Sequence, residues 1–187
     1  MTKKTLWFDV ETTGLSAYKN AIIQFACLVD IDGKIEDEKE LKIAPLETDE
    51  IEDAALKVNG ITRVELTQFR TAPEVLNGHI LPFFNKWINK FDITDKFAFA
   101  GFNVGFDIDF LKQFFWKNKE RYFGSYFNGK RVDPLYQLYS LDYQNKLCLP
   151  NNKLGTACKH FDIEIEAHDA LSDIRATREL YFRLLEL

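Results

Sequence analysis

Asp9 and Glu11 stand two residues apart at the end of an apolar run, with Leu6, Trp7 and Phe8 before them and Thr12, Thr13 and Gly14 after. If the run is a strand, its two-residue period puts Asp9 and Glu11 on one face and Phe8 and Val10 on the other. At about 3.3 Å rise per residue the two acids sit roughly 6 to 7 Å apart at the backbone, near enough for their oxygens to converge on one hard cation. An isolated Asp-x-Glu is more often the wet face of an edge strand. Here the apolar residues before Asp9 and the Thr-Thr-Gly turn after Glu11 predict a buried strand end that opens into a loop able to approach a ligand closely.

Two further acids occupy helix starts. Asn103 is the expected N-cap of a helix that carries Asp107 in its first turn, on the stripe of Leu111 and Phe114 and so facing inward, whereas Asp109 avoids that stripe. Gly101 and Gly105 match neither GxGxxG nor GxxxxGK[ST], which sets aside a nucleotide-binding loop. Near the C-terminus Asp169 is the expected N-cap of a helix on which Asp173 shares a stripe with Thr177, Leu180 and Leu184. The partial positive charge at each helix start favours the ionised carboxylate that a metal ligand requires. His168 lies just before that helix. A lone histidine there is usually a surface residue, and it gains another reading only from the acids around it.

Brought together at one end of a sheet, Asp9, Glu11, Asp107 and Asp173 carry a formal charge of about −4, which a fold tolerates only when neutralised. Oxygen-only ligands select Mg2+ or Mn2+ over zinc, and two such ions about 3.5 to 4 Å apart form the clamp used for in-line displacement at phosphorus. The implied substrate is a phosphodiester. One ion would lower the pKa of a water, the other would stabilise the leaving 3′ oxygen, and His168 could accept the proton.

Such a site needs strand ends and helix starts in register. Leu6 to Val10, Ile22 to Ile31 and Glu40 to Ile43 read as strands separated by turn signals, and they should form a meander. Ile51 to Asn59 reads as a short helix. Pro73 to Phe91 reads as a longer one, with Val75, Leu76, Ile80, Phe83, Phe84, Trp87 and Ile88 at helical spacing. Phe97 to Ala100 is a buried strand leading to a helix from Val104 to about Lys119. Arg131 to Val132 is a weak strand before a helix at Pro134 to Leu141, and helices at Lys153 to His160 and Ala170 to Leu185 close the chain. Strands first, then strands alternating with helices, predict an α/β fold: a mixed sheet with helices on both faces and ligands at the carboxyl ends of its central strands.

The 187 residues fit one domain, 46% apolar and 28% charged, which excludes a disordered tail, a collagen and a small disulfide scaffold. The longest apolar runs are too short for a membrane span. The net charge of −5 supplies no global field for long duplex nucleic acid, so any nucleic-acid contact must be local. Cys27, Cys148 and Cys158 match no zinc or CxxC spacing and predict reduced thiols; with no secretory signal at Met1 to Lys4, a cytoplasmic location is expected.

On these residues the chain resembles the DEDD exonucleases of the histidine subtype, which include polymerase proofreading subunits, ribonuclease T and oligoribonuclease. Asp9-Val-Glu11-Thr-Thr-Gly-Leu15 corresponds to the first family motif, Asn103-Val-Gly-Phe-Asp107 to the second, and His168 with Asp173 to the third. The resemblance spans nearly the whole chain. It implies a ribonuclease-H-like fold, two-metal removal of nucleotides from a 3′ end, and His168 as general base. It also implies that Thr12, Thr13, Gly14 and Leu15 line the terminal nucleotide's pocket with Asn103 and Phe106, and that the segment Asn59 to Thr62 lies near it. Where many members have a histidine this chain has Phe102, which could stack on a base. The expected substrate is single-stranded nucleic acid, with DNA favoured over RNA and a polymerase acting in trans as a candidate partner. The alternatives are an exoribonuclease or oligoribonuclease acting on RNA, a phosphodiesterase for very short substrates, and a non-catalytic module that binds nucleic-acid ends.

Overall fold

The computed structural model describes residues 2–166 and 169–187. Strands β1 (Lys4–Thr12), β2 (Ile22–Ile31) and β3 (Lys34–Ala44) form the antiparallel meander that the turn signals predict. The β2 to β3 hairpin turns through Asp32 and Gly33, both at positive φ, and the Asp30 carboxylate accepts the Gly33 N–H at 2.7 Å. After α1 (Asp53–Asn59), α2 (Arg63–Leu66) and the two-residue β4 (Arg70–Thr71), the chain passes through α3 (Ala72–Val75) and α4 (Leu81–Trp87). Then come β5 (Phe97–Ala100), α5 (Val104–Lys117), β6 (Phe127–Val132), α6 (Pro134–Tyr143), α7 (Leu154–His160) and α8 (Ala170–Leu184). The six strands lie in the order β4-β3-β2-β1-β5-β6. Because β5 runs parallel to β1 and β6 parallel to β5, all three end at the same edge of the sheet.

The pleat of β1 divides the core. Leu6, Phe8 and Val10 pack on one face with Val104, Ile108 and Leu111 of α5 and with Phe84 of α4. Trp7 packs on the other face with Leu28, Ala100 and Ile174 of α8, its ring centroid 5.5 Å from that of Tyr181. Each fully buried ring of this kind contributes roughly 1.5 to 3 kcal/mol. Most of the phenylalanines serve the first face, where Phe84, Phe97, Phe99, Phe115, Phe123 and Phe127 form a continuous lattice of ring contacts.

The structure departs from the periodicity in several places. The helix expected over Pro73 to Phe91 ends at Trp87, because Ile88 is extended and the Asn89 N–H turns to the Asp95 carboxylate. Its middle, Leu76–Ile80, is a π turn in which the Leu81 N–H bonds the Leu76 carbonyl. Pro82, lacking an N–H, cannot continue the regular ladder there. Strand β3 starts at Lys34 rather than Glu40: its charged first half pairs with β2, and Asp37 is held by Lys86 at 2.6 Å. β6 likewise starts at Phe127, four residues before the expected Arg131. Cys27 and Cys158 are buried, Cys148 is exposed, and no disulfide joins them. No helix among the described residues is long and apolar enough to cross a membrane.

Gly101 follows β5 where backbones nearly touch, and a Cβ there would lie 2.8 Å from the Phe8 carbonyl oxygen. Gly101→Ala is therefore expected to destabilise the protein by about 1 to 3 kcal/mol, read as a lowered urea midpoint. Since Phe8 precedes Asp9, the same backbone shift should also reach the acids described next.

Candidate active site

Asp9 and Glu11 lie on the face of β1 that meets α8, and Asp173 stands in the first turn of α8, one residue before Ile174, which packs on Trp7. Carboxylate oxygens of Asp9, Glu11 and Asp173 all lie within 4.8 Å of one another, and the three residues are half-buried. Asp169 caps α8 by accepting the Ser172 N–H at 2.7 Å, as its place before the helix predicts. Asp107 comes from α5 on the opposite face of the sheet. It is buried, and its Oδ1 accepts the Val10 N–H at 3.2 Å, which places it behind Asp9 and outside the group of three.

The electrostatics follow from this crowding. Burial pushes the Asp9 carboxyl well above the ordinary carboxylate range, and the charges of Glu11 and Asp173 push the same way. Burial also raises Glu11, to about 7, with Asp173 and then Asp169 adding to it. Asp107 is raised by burial and by Asp9, against the opposing pull of the Val10 N–H. Among the described residues no lysine or arginine forms a salt bridge with Asp9, Glu11 or Asp107. Clustered, oxygen-only donors whose carboxyls are pushed up by burial and then by one another's charge fit a hard divalent cation.

The loop after Glu11 is tightly built. The Thr13 hydroxyl donates to the Glu50 carbonyl at 2.7 Å and accepts the Ala21 N–H at 2.9 Å, and the side chain is fully buried. Thr13 thus braces the loop from inside. Asn20 Nδ2 donates to the Glu50 carbonyl at 3.0 Å, and Asn20 Oδ1 accepts the Ser16 N–H at 2.9 Å. Gly14 packs beneath these groups where a side chain would collide: a Cβ would come within 2.4 Å of Nδ2 of the buried Asn20. The Thr12 hydroxyl donates to the Gly14 carbonyl at 2.7 Å, and Asn59 Nδ2 donates to the Thr12 carbonyl at 2.9 Å, tying the end of α1 to the site. Leu15 projects from the loop, 84% exposed.

One expectation changes. Asn103 stands at the start of α5, but in the left-handed conformation with φ of 57°, and its side chain does not cap the helix. Asp133 does that from outside, its carboxylate accepting the Asn103 and Val104 N–H groups at 3.0 Å each and the Leu135 N–H of α6 at 3.0 Å. The sequence reading missed Asp133, although an Asp immediately before Pro134 at a helix start is a capping signal. Phe102, offered for base stacking, is half-buried against the small apolar cluster of Leu138, Ala157 and Leu180. Phe106 is half-buried, its ring 4.7 Å from that of Phe110. His168 lies outside the described residues.

Residues 6–181 match the exonuclease family model RNase_T, and the chain belongs to this family of DEDD exonucleases. Its sheet and helices are the ribonuclease-H-like architecture. Among curated proteins it is similar to the PolC-type DNA polymerase III of Oceanobacillus iheyensis, 32% identical over 96% of this chain, and to that of Bacillus subtilis, 31% identical over 96%. The chain spans 11% of the length of each. Among solved structures, E. coli exonuclease I in complex with a dT13 oligonucleotide superposes with a TM-score of 0.77 at 21% identity, covering 98% of this chain and 40% of that one. The zinc-bound E. coli exonuclease I complex with single-stranded DNA superposes with a TM-score of 0.80 at 20% identity, covering 100% of this chain and 42% of that one.

Proposed function

We propose that the chain removes nucleoside monophosphates one at a time from the 3′ end of single-stranded DNA, using two divalent cations, Mg2+ or Mn2+. The observation that carries this is the convergence of the Asp9, Glu11 and Asp173 oxygens at the shared end of β1 and α8. Its support on the substrate side is that the similar curated proteins are DNA polymerases and that the superposing exonuclease I structures hold single-stranded DNA. Asp9, Glu11 and Asp173 would hold the cations, with Asp107 adding its charge from behind Asp9. When bound, the cations supply a lowered pKa for a water and a counter-charge for the leaving oxygen.

The chain's own residues do the rest. His168 is the proposed acceptor of the water's proton, imidazole being the side chain that most readily exchanges a proton near neutral pH. The braced loop from Thr12 to Leu15 offers backbone groups and one apolar tip to the terminal nucleotide. Thr13 and Gly14 hold its shape, Asn59 anchors it, and Asn103 and Phe106 stand on the facing helix start, with Phe102 as their apolar support. Clustered carboxylates repel phosphate, so strand binding should itself depend on divalent cations. A polymerase acting in trans is the proposed partner and the cytoplasm the proposed location.

End-labelled strands test this. A 5′-labelled single-stranded DNA should shorten to a ladder with Mg2+ or Mn2+ and stay intact with chelator, and the matched RNA should shorten more slowly. An intact DNA strand with either metal would refute the reading, and faster loss of RNA would move it to the exoribonuclease alternative.

A further inference from the structure

A row of tyrosines leads away from the acids. Tyr136, Tyr139 and Tyr143 of α6 are 65%, 48% and 90% exposed. At 100° per residue they fall within about 60° of one another, opposite Leu138, which is buried against α7 and α8. The Tyr136 and Tyr139 rings meet edge to face, with centroids 6.2 Å apart. Single exposed aromatics are ordinary, but three on the outward stripe of one helix, where polar residues are expected, are not.

The stripe is continuous with the candidate site. Asp133 joins the first turns of α5 and α6 through one carboxylate, and its charge is felt at Asp107. Tyr136 therefore begins the stripe beside Asn103, and the helix carries Tyr143 about 10 Å further along its axis. Arg131, exposed at the end of β6, reaches the first turn of α5: a Cβ on Gly105 would lie 3.8 Å from its guanidinium. Arg131 makes no salt bridge among the described residues.

We infer that this stripe binds the single strand upstream of its 3′ end, with bases stacked on Tyr136, Tyr139 and Tyr143 and a backbone phosphate on Arg131. The inference rests on the exonuclease reading and adds a second binding region to it. A chain of net charge −5 with a cluster of acids at its centre has little electrostatic hold on a polyanion, so ring stacking has to supply much of the grip. α6 carries no lysine or arginine and a single acid, Asp142, which leaves its outward face open to stacking.

The test compares a dinucleotide with a 5′-labelled single-stranded DNA of about twelve nucleotides, using the wild type, a variant with Tyr136→Ala, Tyr139→Ala and Tyr143→Ala, and the matching Phe variant. The Ala variant should lose roughly tenfold or more in kcat/KM on the long strand, about the value of one stacked base, while dinucleotide hydrolysis stays unchanged. The Phe variant should retain the wild-type preference. Equal long-strand kinetics in the Ala variant and the wild type would overturn the inference and leave the exonuclease reading standing. If the wild type hydrolyses neither substrate the exonuclease reading fails, and anisotropy of the labelled strand decides: weaker binding by the Ala variant upholds the stripe, equal binding overturns it. Loss of a wild-type dimer on sedimentation with strand-length dependence intact would assign the stripe to a second copy of the chain, and would also overturn it.

Discussion

Asp9→Asn is expected to abolish hydrolysis and stabilise the metal-free protein at once. Asp9 shares its oxygen cluster with Glu11 and Asp173 and stands in front of Asp107, so losing its charge weakens the hold on any cation there. A metal clamp supplies several kcal/mol of charge stabilisation, so the loss should reach roughly a thousandfold or more in kcat/KM. In the metal-free fold the ionised form of the same carboxyl is opposed by burial, Glu11 and Asp173. An amide of equal size removes that repulsion. Each kcal/mol gained raises the melting midpoint of a chain this long by roughly 2 to 4 °C. Scanning calorimetry with chelator, beside a labelled-strand assay with Mn2+, reads both. A variant that loses activity together with stability would indicate a structural role for Asp9.

The pH dependence of metal-free stability should run opposite to that of an ordinary surface-charged protein. A carboxyl raised in the folded state contributes stability that is present below its unfolded value and lost as pH rises through the folded value. For Glu11 that window runs from 4.5 to about 7, and Asp9 and Asp107 act in the same direction. The Glu11 shift alone corresponds to about 3 kcal/mol. Between pH 5 and pH 8 the chelated protein should therefore lose roughly 6 to 12 °C of melting midpoint. Millimolar Mg2+ should flatten or reverse the slope, because cation binding displaces those protons and strengthens as pH rises. A midpoint that climbs with pH in chelator, or one indifferent to Mg2+ at pH 8, would contradict the electrostatic picture.

The parts of this fold that were legible in the sequence are those whose pattern has one solution. β2 is buried along nearly its whole length and bounded by turns, and Phe97–Ala100 is a short apolar run before a helix start; both match the expected limits. The facing of Asp9 and Glu11 follows from strand pleat alone, and the inward aim of Asp107 from helical spacing. Features set by distant partners were not legible. The charged half of β3 is a strand because β2 offers a ladder and Lys86 neutralises Asp37, and neither fact is local. Asn103 yields its capping role because the chain enters α5 in a left-handed conformation, which Asp133, thirty residues on, then satisfies. Among the described residues the oxygens of Asp9, Glu11 and Asp173 converge while Asp107 stands behind Asp9, because α5 and α8 lie on opposite faces of the sheet, a matter of topology.

Anomalous scattering from crystals grown with millimolar Mn2+ at pH 7.5 to 8 tests the central claim most directly, because it locates the cations without relying on turnover. The account predicts strong manganese peaks bounded by the carboxylates of Asp9, Glu11 and Asp173, lost in Asp9→Asn. A protein with those acids ordered and no manganese between them would contradict it.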